Sequence, residues 1–539
     1  MSTAWWRDAV FYENHMASFR DANGDGIGDI AGLTASLDYL HDLGIGAVWL
    51  SPCFKSPMLD QGFDISDYTS IEPLFGTLEE FGELLAQAHS RGIRIIADYV
   101  PNHTSDQHPW FVESRASRTS AKRDWYVWKD PRPDGSAPTN WTSEAGGSVW
   151  QFDAATGQYY LHSHLPQQPD LNWRNPEVVE AMLEVLRYWL DFGVDGFRID
   201  VAHMLMKDPL FRDNPVRRVA LDNMYDAQHP DFASQEHIYD RMHPDVHTVL
   251  QRIRATIDDY DDKVLIGEIE AMDWPQWATY FGTDLDEIHL PFAFRLIETP
   301  WGAEALATEL EALYAAVPAG GWPILALGNH DRPRLADRIG PAQLRSAATL
   351  LMTLRGTPIV FYGDELGLHN QDVPPERQRD YFGLTDRGVS RDPIRTPMPW
   401  NNGFNAGFST APSRQLWLPI SLRAAEVNVS VQRSDPASLL NLYRALTRLR
   451  AGSPALRHGA FRLAPEVAAA ASGCLAFRRL TGDDHKLVIL NLTDQSRTVT
   501  TPAPAEVVFS THSHNDIGSR RGEFALSGGE GVILSESQR

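Results

Sequence analysis

Repeatedly along this chain an apolar run of strand length ends directly in polar residues. Ile93-Arg94-Ile95-Ile96-Ala97 leads into Asp98-Tyr99-Val100-Pro101-Asn102-His103, and Val264-Leu265-Ile266-Gly267 into Glu268. Ile324-Leu325-Ala326-Leu327-Gly328 leads into Asn329-His330-Asp331. Among these runs, Val194-Asp195-Gly196-Phe197-Arg198-Ile199-Asp200-Val201-Ala202-His203 opens on an Asp-Gly turn signal and alternates as a short strand does. Apolar strands with polar exits are the arrangement in which barrel enzymes place their function. With 539 residues the chain is too long for one simple domain, and a barrel with insertions is a natural solution. Ala9–Tyr12, Gly46–Pro52 and Pro358–Gly363 read as further strands. Leu33–Leu43, Pro176–Asp191 and Leu439–Arg450 read as amphipathic helices.

The Val194–His203 stretch carries the most chemistry. In a strand, residues two apart share a face, so Arg198 and Asp200 point together while Phe197 and Ile199 pack behind. A guanidinium beside a carboxylate favours its ionised form. An ionised, held carboxylate is what a nucleophile toward an acetal carbon requires. The competing reading is a structural Arg–Asp pair at a strand end.

This stretch resembles the nucleophile segment of the α-amylase superfamily of glycoside hydrolases (family 13), and the other polar exits follow in that family's order. The resemblance implies an α/β fold: a (β/α)8 TIM barrel with a lid domain inserted after strand 3 and a C-terminal antiparallel β-sandwich. The barrel would take residues 1–103 and 171–455, the inserted domain B 104–170 and the sandwich 456–539. Residues 104–170 do lack strand–helix alternation, and from about 456 onward short alternating strands such as Lys486–Leu492 follow one another. By the same resemblance Asp200 is the nucleophile, Glu268 the acid/base and Asp331 the carboxylate that clamps the distorted sugar. Glu270 is a rival to Glu268, which the Gly267-Glu268 pair disfavours. For Glu268 to arrive protonated, burial and the charge of Asp200 must raise its pKa.

The resemblance also implies a sugar-binding set. Asp60 contacts the outer hydroxyls, and Phe63 stands where relatives commonly have Tyr, keeping stacking and losing a hydroxyl. Asp98 and Arg198 support the site, and His103 and His330 bind hydroxyls; a loop histidine like His103 is by itself more often structural. In Arg391-Asp392-Pro393-Ile394-Arg395 the arginine that reaches the sugar opposite Asp60 is Arg391, with Arg395 as rival. Val201, just after the nucleophile, accompanies α-1,6 cleavage in relatives. The Gln168-Pro169-Asp170 signature belongs to small-substrate glucosidases. Ala145, where relatives often carry Phe, implies a more open acceptor side, as does Glu13-Asn14-His15-Met16-Ala17 in place of a run containing Tyr-Pro-Arg.

Asp21-Ala22-Asn23-Gly24-Asp25-Gly26-Ile27-Gly28-Asp29 spaces oxygen donors at alternate positions, with glycines that permit tight winding. It departs from an EF-hand, since Gly32 replaces the bidentate Glu. Asp21, Asn23, Asp25 and Asp29 with the Ile27 carbonyl are the candidate ligands of a structural Ca²⁺ or Mg²⁺; a metal-free polar turn is the other reading. Catalysis itself calls for no cofactor.

The charge balance of 48 basic to 71 acidic residues, net −23, disfavours nucleic acid, anionic membranes and phosphorylated substrates, although an acidic excess is first a matter of solubility. The start of the chain lacks a signal-peptide pattern, no apolar run approaches a membrane span, and Cys53 and Cys474 stand far apart. A cytoplasmic enzyme is expected. The resemblance implies a retaining, exo-acting α-glucosidase of small α-glucosides (maltose, isomaltose or sucrose), working through a covalent glucosyl-enzyme intermediate and able to transfer glucose to hydroxyl acceptors. A sucrose isomerase or dedicated glucosyltransferase on the same scaffold is the nearer alternative. A non-catalytic, transporter-associated relative is the remote one, since it would carry a membrane span and lack the carboxylates.

Overall fold

The computed structural model describes residues 4–218, 230–271, 273–384, 389–468, 472–512 and 519–536. Eight parallel strands form its centre: β1 (Phe11–Asn14), β2 (Ala47–Leu50), β3 (Arg94–Tyr99), β4 (Gly196–Ile199), β5 (Val264–Gly267), β6 (Leu290–Pro291), β7 (Ile324–Leu325) and β8 (Thr357–Phe361). They lie in the order β6-β5-β4-β3-β2-β1-β8-β7. A parallel bridge between Phe292, just past β6, and Ile324 closes the ring. The expected (β/α)8 barrel is therefore the architecture of the chain.

Strand alternation sorts the side chains into two cores. Phe11, Ala47, Ile96, Val264, Ile266, Leu290, Ile324 and Ile359 fill the barrel interior. Their neighbours Tyr12, Val48, Ile95, Leu265, Leu325 and Val360 pack outward in the larger core shared with the helices. Gly196 has no room for a side chain, because a Cβ there would meet the Val264 carbonyl oxygen at 2.1 Å. A glycine at this point lets β4 lie against β5 and brings their exits together.

Helix α1 (Pro176–Phe192) shows how sequence sets an element that positions the site. Asn175 caps it, accepting from the Glu177 N–H, and Pro176 takes the first turn, where its missing N–H costs nothing. Gly193 ends it at φ 119°, the left-handed conformation in which the chain can turn into β4. The stretch read as one helix over Leu33–Leu43 is instead two, Ile30–Thr34 and Leu37–Leu43. At the break Ser36 Oγ donates to the Gly32 carbonyl, the side-chain competition that bends helices.

The segment after β3 folds around a three-stranded antiparallel sheet of Trp128–Lys129, Gln158–Leu161 and Trp150–Asp153. Its ends meet: His103 bridges Asp170, and the Leu171 N–H donates to the Asn102 carbonyl at 2.9 Å. Buried Lys207 pins this junction, its Nζ lying 2.6 Å from Asp170 and 2.7 Å from Asn102. At the C-terminus, β9 (Ala460–Leu463), β10 (Cys474–Thr481), β11 (Asp484–Asn491), β12 (Arg497–Ser510), β13 (Ser519–Leu526) and β14 (Gly531–Glu536) pair in the order β9-β10-β11-β14-β12-β13. β12 pairs with β13 over 497–506 and with β14 over 505–510, with a register shift in each pairing. Leu487, Ile489, Val507 and Leu534 form this unit's own core, and the alternate residues Val488, Leu490 and Ile533 join the core of the barrel. Among the described residues no helix is long and apolar enough to cross a membrane. Both cysteines are buried and unpaired.

Candidate active site

At the C-terminal ends of the strands lies a cavity of about 270 Å³. Asp60, Phe63, His103, Asp200, Val201, Glu268, His330, Asp331 and Arg391 line it, so most of the expected site residues come together on one space. Asp98 and Arg198 lie buried beneath it.

Arg198 organises the floor. Its Nη1 donates to Asp200 Oδ1 at 2.7 Å and to Asp98 Oδ1 at 3.0 Å, while Nη2 donates to Glu268 Oε2 at 2.6 Å. Its guanidinium lies over the Trp49 ring at 4.9 Å, and Trp49 Nε1 donates to Asp98 Oδ2 at 3.0 Å. These contacts follow from strand register: Asp98 pairs with Arg198 across β3 and β4, and Arg198 with Ile266 across β4 and β5. Three carboxyl groups thus share one guanidinium. Burial, with Glu268 and Asp98 near, drives the Asp200 carboxyl well above the usual carboxylate range against the pull of Arg198. Burial likewise pushes Asp98 up to about 6, with Arg198 opposing. At Asp200 burial and two further carboxyl groups thus oppose the guanidinium, so its neighbouring position alone does not set the charge there.

Asp331 stands in the opposite environment. Arg391 Nη1 and Arg395 Nη2 donate to its Oδ1 at 3.2 and 3.0 Å, and His330 Nε2 lies 3.2 Å from Oδ2. Burial works to raise this carboxyl, but His330, Arg391 and Arg395 outweigh it and hold it well below the ordinary range. Behind His330 stands Glu13, whose Oε1 meets His330 Nδ1 at 2.6 Å. Burial and nearby Asp331 push Glu13 well up, and burial with the arginines, Asp331 opposing, pushes His330 well down. The Glu13–Ala17 run lies behind the cavity wall, and none of it lines the cavity.

At the far end, Arg391 Nη2 donates to Asp60 Oδ1 at 2.6 Å and to Asp380 Oδ1 at 2.8 Å. Arg395, which also holds Asp331, donates to Gln61 and the His330 carbonyl and is not on the wall. Phe63 stacks on His330, rings 5.5 Å apart and 11° from parallel. Burial holds His103 down at about 3, with His164 adding to the effect, so its imidazole is neutral.

Several residues on or behind the wall had no expected role. Gln168 Nε2 donates to Asp60 Oδ2 at 2.9 Å and lies 3.2 Å from His103 Nε2, tying the lid signature to the sugar-binding end. Glu144 and His164 form a buried pair at 3.2 Å, and Arg241 reaches the same Glu144 at 3.0 Å. Phe382 packs with Ala145 and Leu165 on the cavity wall. Its ring packs against Ala145, the position that relatives often fill with Phe. Only the Gln-Pro-Asp signature offered a signal for any of these residues.

In the Asp21–Asp29 loop the donors are all oxygens, which suits a hard cation. Asp21 Oδ1 and Oδ2 accept from the Gly24 and Gly26 amides, and Asp29 Oδ2 from those of Ala22 and Asn23. Asp29 Oδ1 caps the Ile30–Thr34 helix through the Gly32 N–H. Among the described residues no three Asp, Glu, His or Cys side chains gather as a metal group. The loop lies off the cavity.

The profile of the family described as "Alpha amylase, catalytic domain" matches residues 15–459. A probable alpha-glucosidase of Rhizobium meliloti is 41% identical over 515 residues, 92% of this chain and 91% of that protein. An oligo-1,6-glucosidase of Parageobacillus thermoglucosidasius is 34% identical over 551 residues, covering 95% and 94%. The crystal structure of an alpha-glucosyl transfer enzyme superposes with a TM-score of 0.92 at 38% identity, over 99% of this chain and 100% of that one.

Proposed function

This chain belongs to the α-amylase family of glycoside hydrolases, and from that premise we propose that it is a retaining, exo-acting α-glucosidase of small α-glucosides with transfer activity. The observation that carries the reading is Arg198, which presents Asp200 and Glu268 together at one cavity wall, 2.7 and 2.6 Å from its two terminal nitrogens. A cavity of about 270 Å³ suits one sugar ring. The Asp60–Arg391 pair at 2.6 Å stands at the end assigned to the outer hydroxyls, which favours a terminal glucose over an internal one.

In this mechanism Asp200 attacks the anomeric carbon while Glu268 gives its proton to the departing oxygen, so one C–O bond forms as the other breaks. Glu268 Oε2 is occupied by Arg198 and the Val201 N–H, and Oε1 is then the oxygen that carries the proton. Positive charge developing on the ring stabilises the Asp200 anion. Asp331, ionised by its arginines, is placed to accept hydrogen bonds that strengthen as the ring flattens. Water or a sugar hydroxyl then loses its proton to Glu268 and displaces Asp200, regenerating the α configuration. No step runs through a metal. We assign Asp21, Asn23, Asp25, Asp29 and the Ile27 carbonyl to a structural Ca²⁺ or Mg²⁺ that steadies the loop.

Asp200→Asn tests the assignment. The substitution removes the nucleophile and keeps its shape, so glucoside cleavage should fall by several orders of magnitude with the melting temperature little changed. Undiminished turnover in a preparation free of contaminating glucosidase would exclude Asp200. A product mixture from sucrose dominated by isomeric disaccharides, with little free glucose, would instead identify a sucrose isomerase.

A further inference from the structure

Beyond Glu268 the catalytic cavity adjoins a wide groove walled by Met242, Gln276, Phe294 and Glu298. Glu270 and Arg332 border both spaces. Arg332 is buried and fixed in place: its Nε donates to Glu298 Oε1 at 3.0 Å and its guanidinium lies over the Phe294 ring at 4.7 Å. From there its Nη2 reaches Glu270 Oε1 at 3.3 Å. The Glu270 side chain keeps 22% of its surface accessible, against 5% for Arg332. A fixed cation thus holds a reachable carboxyl at the threshold between cavity and groove.

The direction of departure makes this threshold matter. The leaving oxygen must lie at Glu268, which protonates it, and the group attached to that oxygen extends away from the Asp60–Arg391 end. Glu270, two residues past the acid, stands on that outward path. We propose that Glu270 and Arg332 form an acceptor-side binding pair that takes hydroxyls of the leaving or attacking sugar and so selects hydroxyl-bearing partners over apolar ones. This rests on the α-glucosidase reading above. Burial, with Glu144, Glu268 and Glu298 near and Arg332 opposing, pushes the Glu270 carboxyl up to about 8. At neutral pH it both donates and accepts, as a sugar hydroxyl requires, while Arg332 only donates.

The test compares maltose, whose leaving group is a sugar, with p-nitrophenyl α-glucoside, whose leaving group is a nearly apolar ring. kcat/KM is measured on both for wild type, Glu270→Ala and Glu270→Gln, with melting curves to show that each variant folds. Glu270→Ala should lower maltose by about 10–100-fold and the aryl glucoside by less than about threefold, the scale expected for a lost hydroxyl-reading contact. Glu270→Gln, which keeps a donor and an acceptor, should recover most of the ratio. Equal losses on both substrates, or an unchanged ratio, would overturn the pair's role. A wild type inert toward both would overturn the glucosidase reading and this inference with it; an active wild type whose ratio ignores Glu270 overturns the inference alone.

Discussion

The backbone N–H of Val201 donates to Glu268 Oε2 at 2.9 Å, and Val201 reaches it by adopting φ 37°, ψ 49°. A β-branched side chain rarely takes this left-handed conformation, and such strain costs on the order of 1–3 kcal/mol. The surrounding contacts hold it there: the Asp200 N–H is bound by the Tyr99 carbonyl and the Ala202 N–H by the Glu268 carbonyl. The turn that ends β4 therefore places the nucleophile, orients the acid and sets the Val201 side chain on the cavity wall.

That position makes Val201 the residue through which linkage preference is most directly changed. Its stiff side chain crowds the first acceptor position, and Thr keeps the shape while adding a hydroxyl that can bond the second sugar. Isomaltose should be cleaved by the wild type. Val201→Thr should raise the maltose-to-isomaltose ratio of kcat/KM, by an amount within the 1–3 kcal/mol or so that one side chain supplies. A wild type inactive on isomaltose, or a ratio that does not move, would place linkage choice elsewhere.

His164 gives the fold a pH dependence of definite sign. Burial opposes its protonation, but Glu144 at 3.2 Å, with Asp200 and Asp170 beyond, outweighs burial and pushes the imidazole from 6.5 up to about 9. A folded pKa raised above the unfolded one contributes stability that is complete below about pH 6.5 and lost as pH rises through about 9. The contribution is on the order of 3 kcal/mol. Chemical denaturation of wild type and His164→Gln across that window should show a steeper decline in the wild type. Parallel profiles would mean that the histidine is not charged in the native protein.

The Asp21–Asp29 loop predicts stability linked to a divalent cation. A ligand that binds only the native state adds about 2.7 kcal/mol at a hundredfold excess over its Kd. The melting temperature should fall after chelation and return on adding Ca²⁺, with kcat on a glucoside little changed below the melting range. Identical melting of metal-free and reloaded protein would leave the loop as a turn wound by its own carboxylates.

The barrel and its strand exits were legible because period-two alternation fixes which residues face inward, and Asp98, Arg198, Asp200 and Glu268 lie on or directly after such strands. Phe382 sits on a single helical turn, Tyr381–Leu384, and Glu144 and His164 in irregular segments, all too short or irregular for periodicity to link position to direction. Phe382 shows the consequence: nothing near Ala145 in the sequence signals that an aromatic more than two hundred residues away packs against it. Glu13 was read as a departure that loosens the site, whereas its hydrogen bond to His330 is a pairing of β1 with the exit of β7 that closes only in three dimensions. The protonation of the floor was likewise beyond local reading, because Arg198 serves three carboxyl groups at once.

The central claim is that Asp200 and Glu268 work as a double-displacement pair on an α-glucoside. The most direct measurement is the anomeric proton spectrum of glucose in the first moments after p-nitrophenyl α-glucoside, whose only glucose comes from the cleaved bond, is added, before mutarotation. Two inversions at C1 predict α-glucose first, with the β-anomer growing in only as solution equilibrium is reached. β-Glucose appearing first would mean a single inversion by water, and would contradict the assignment of Asp200 as the nucleophile.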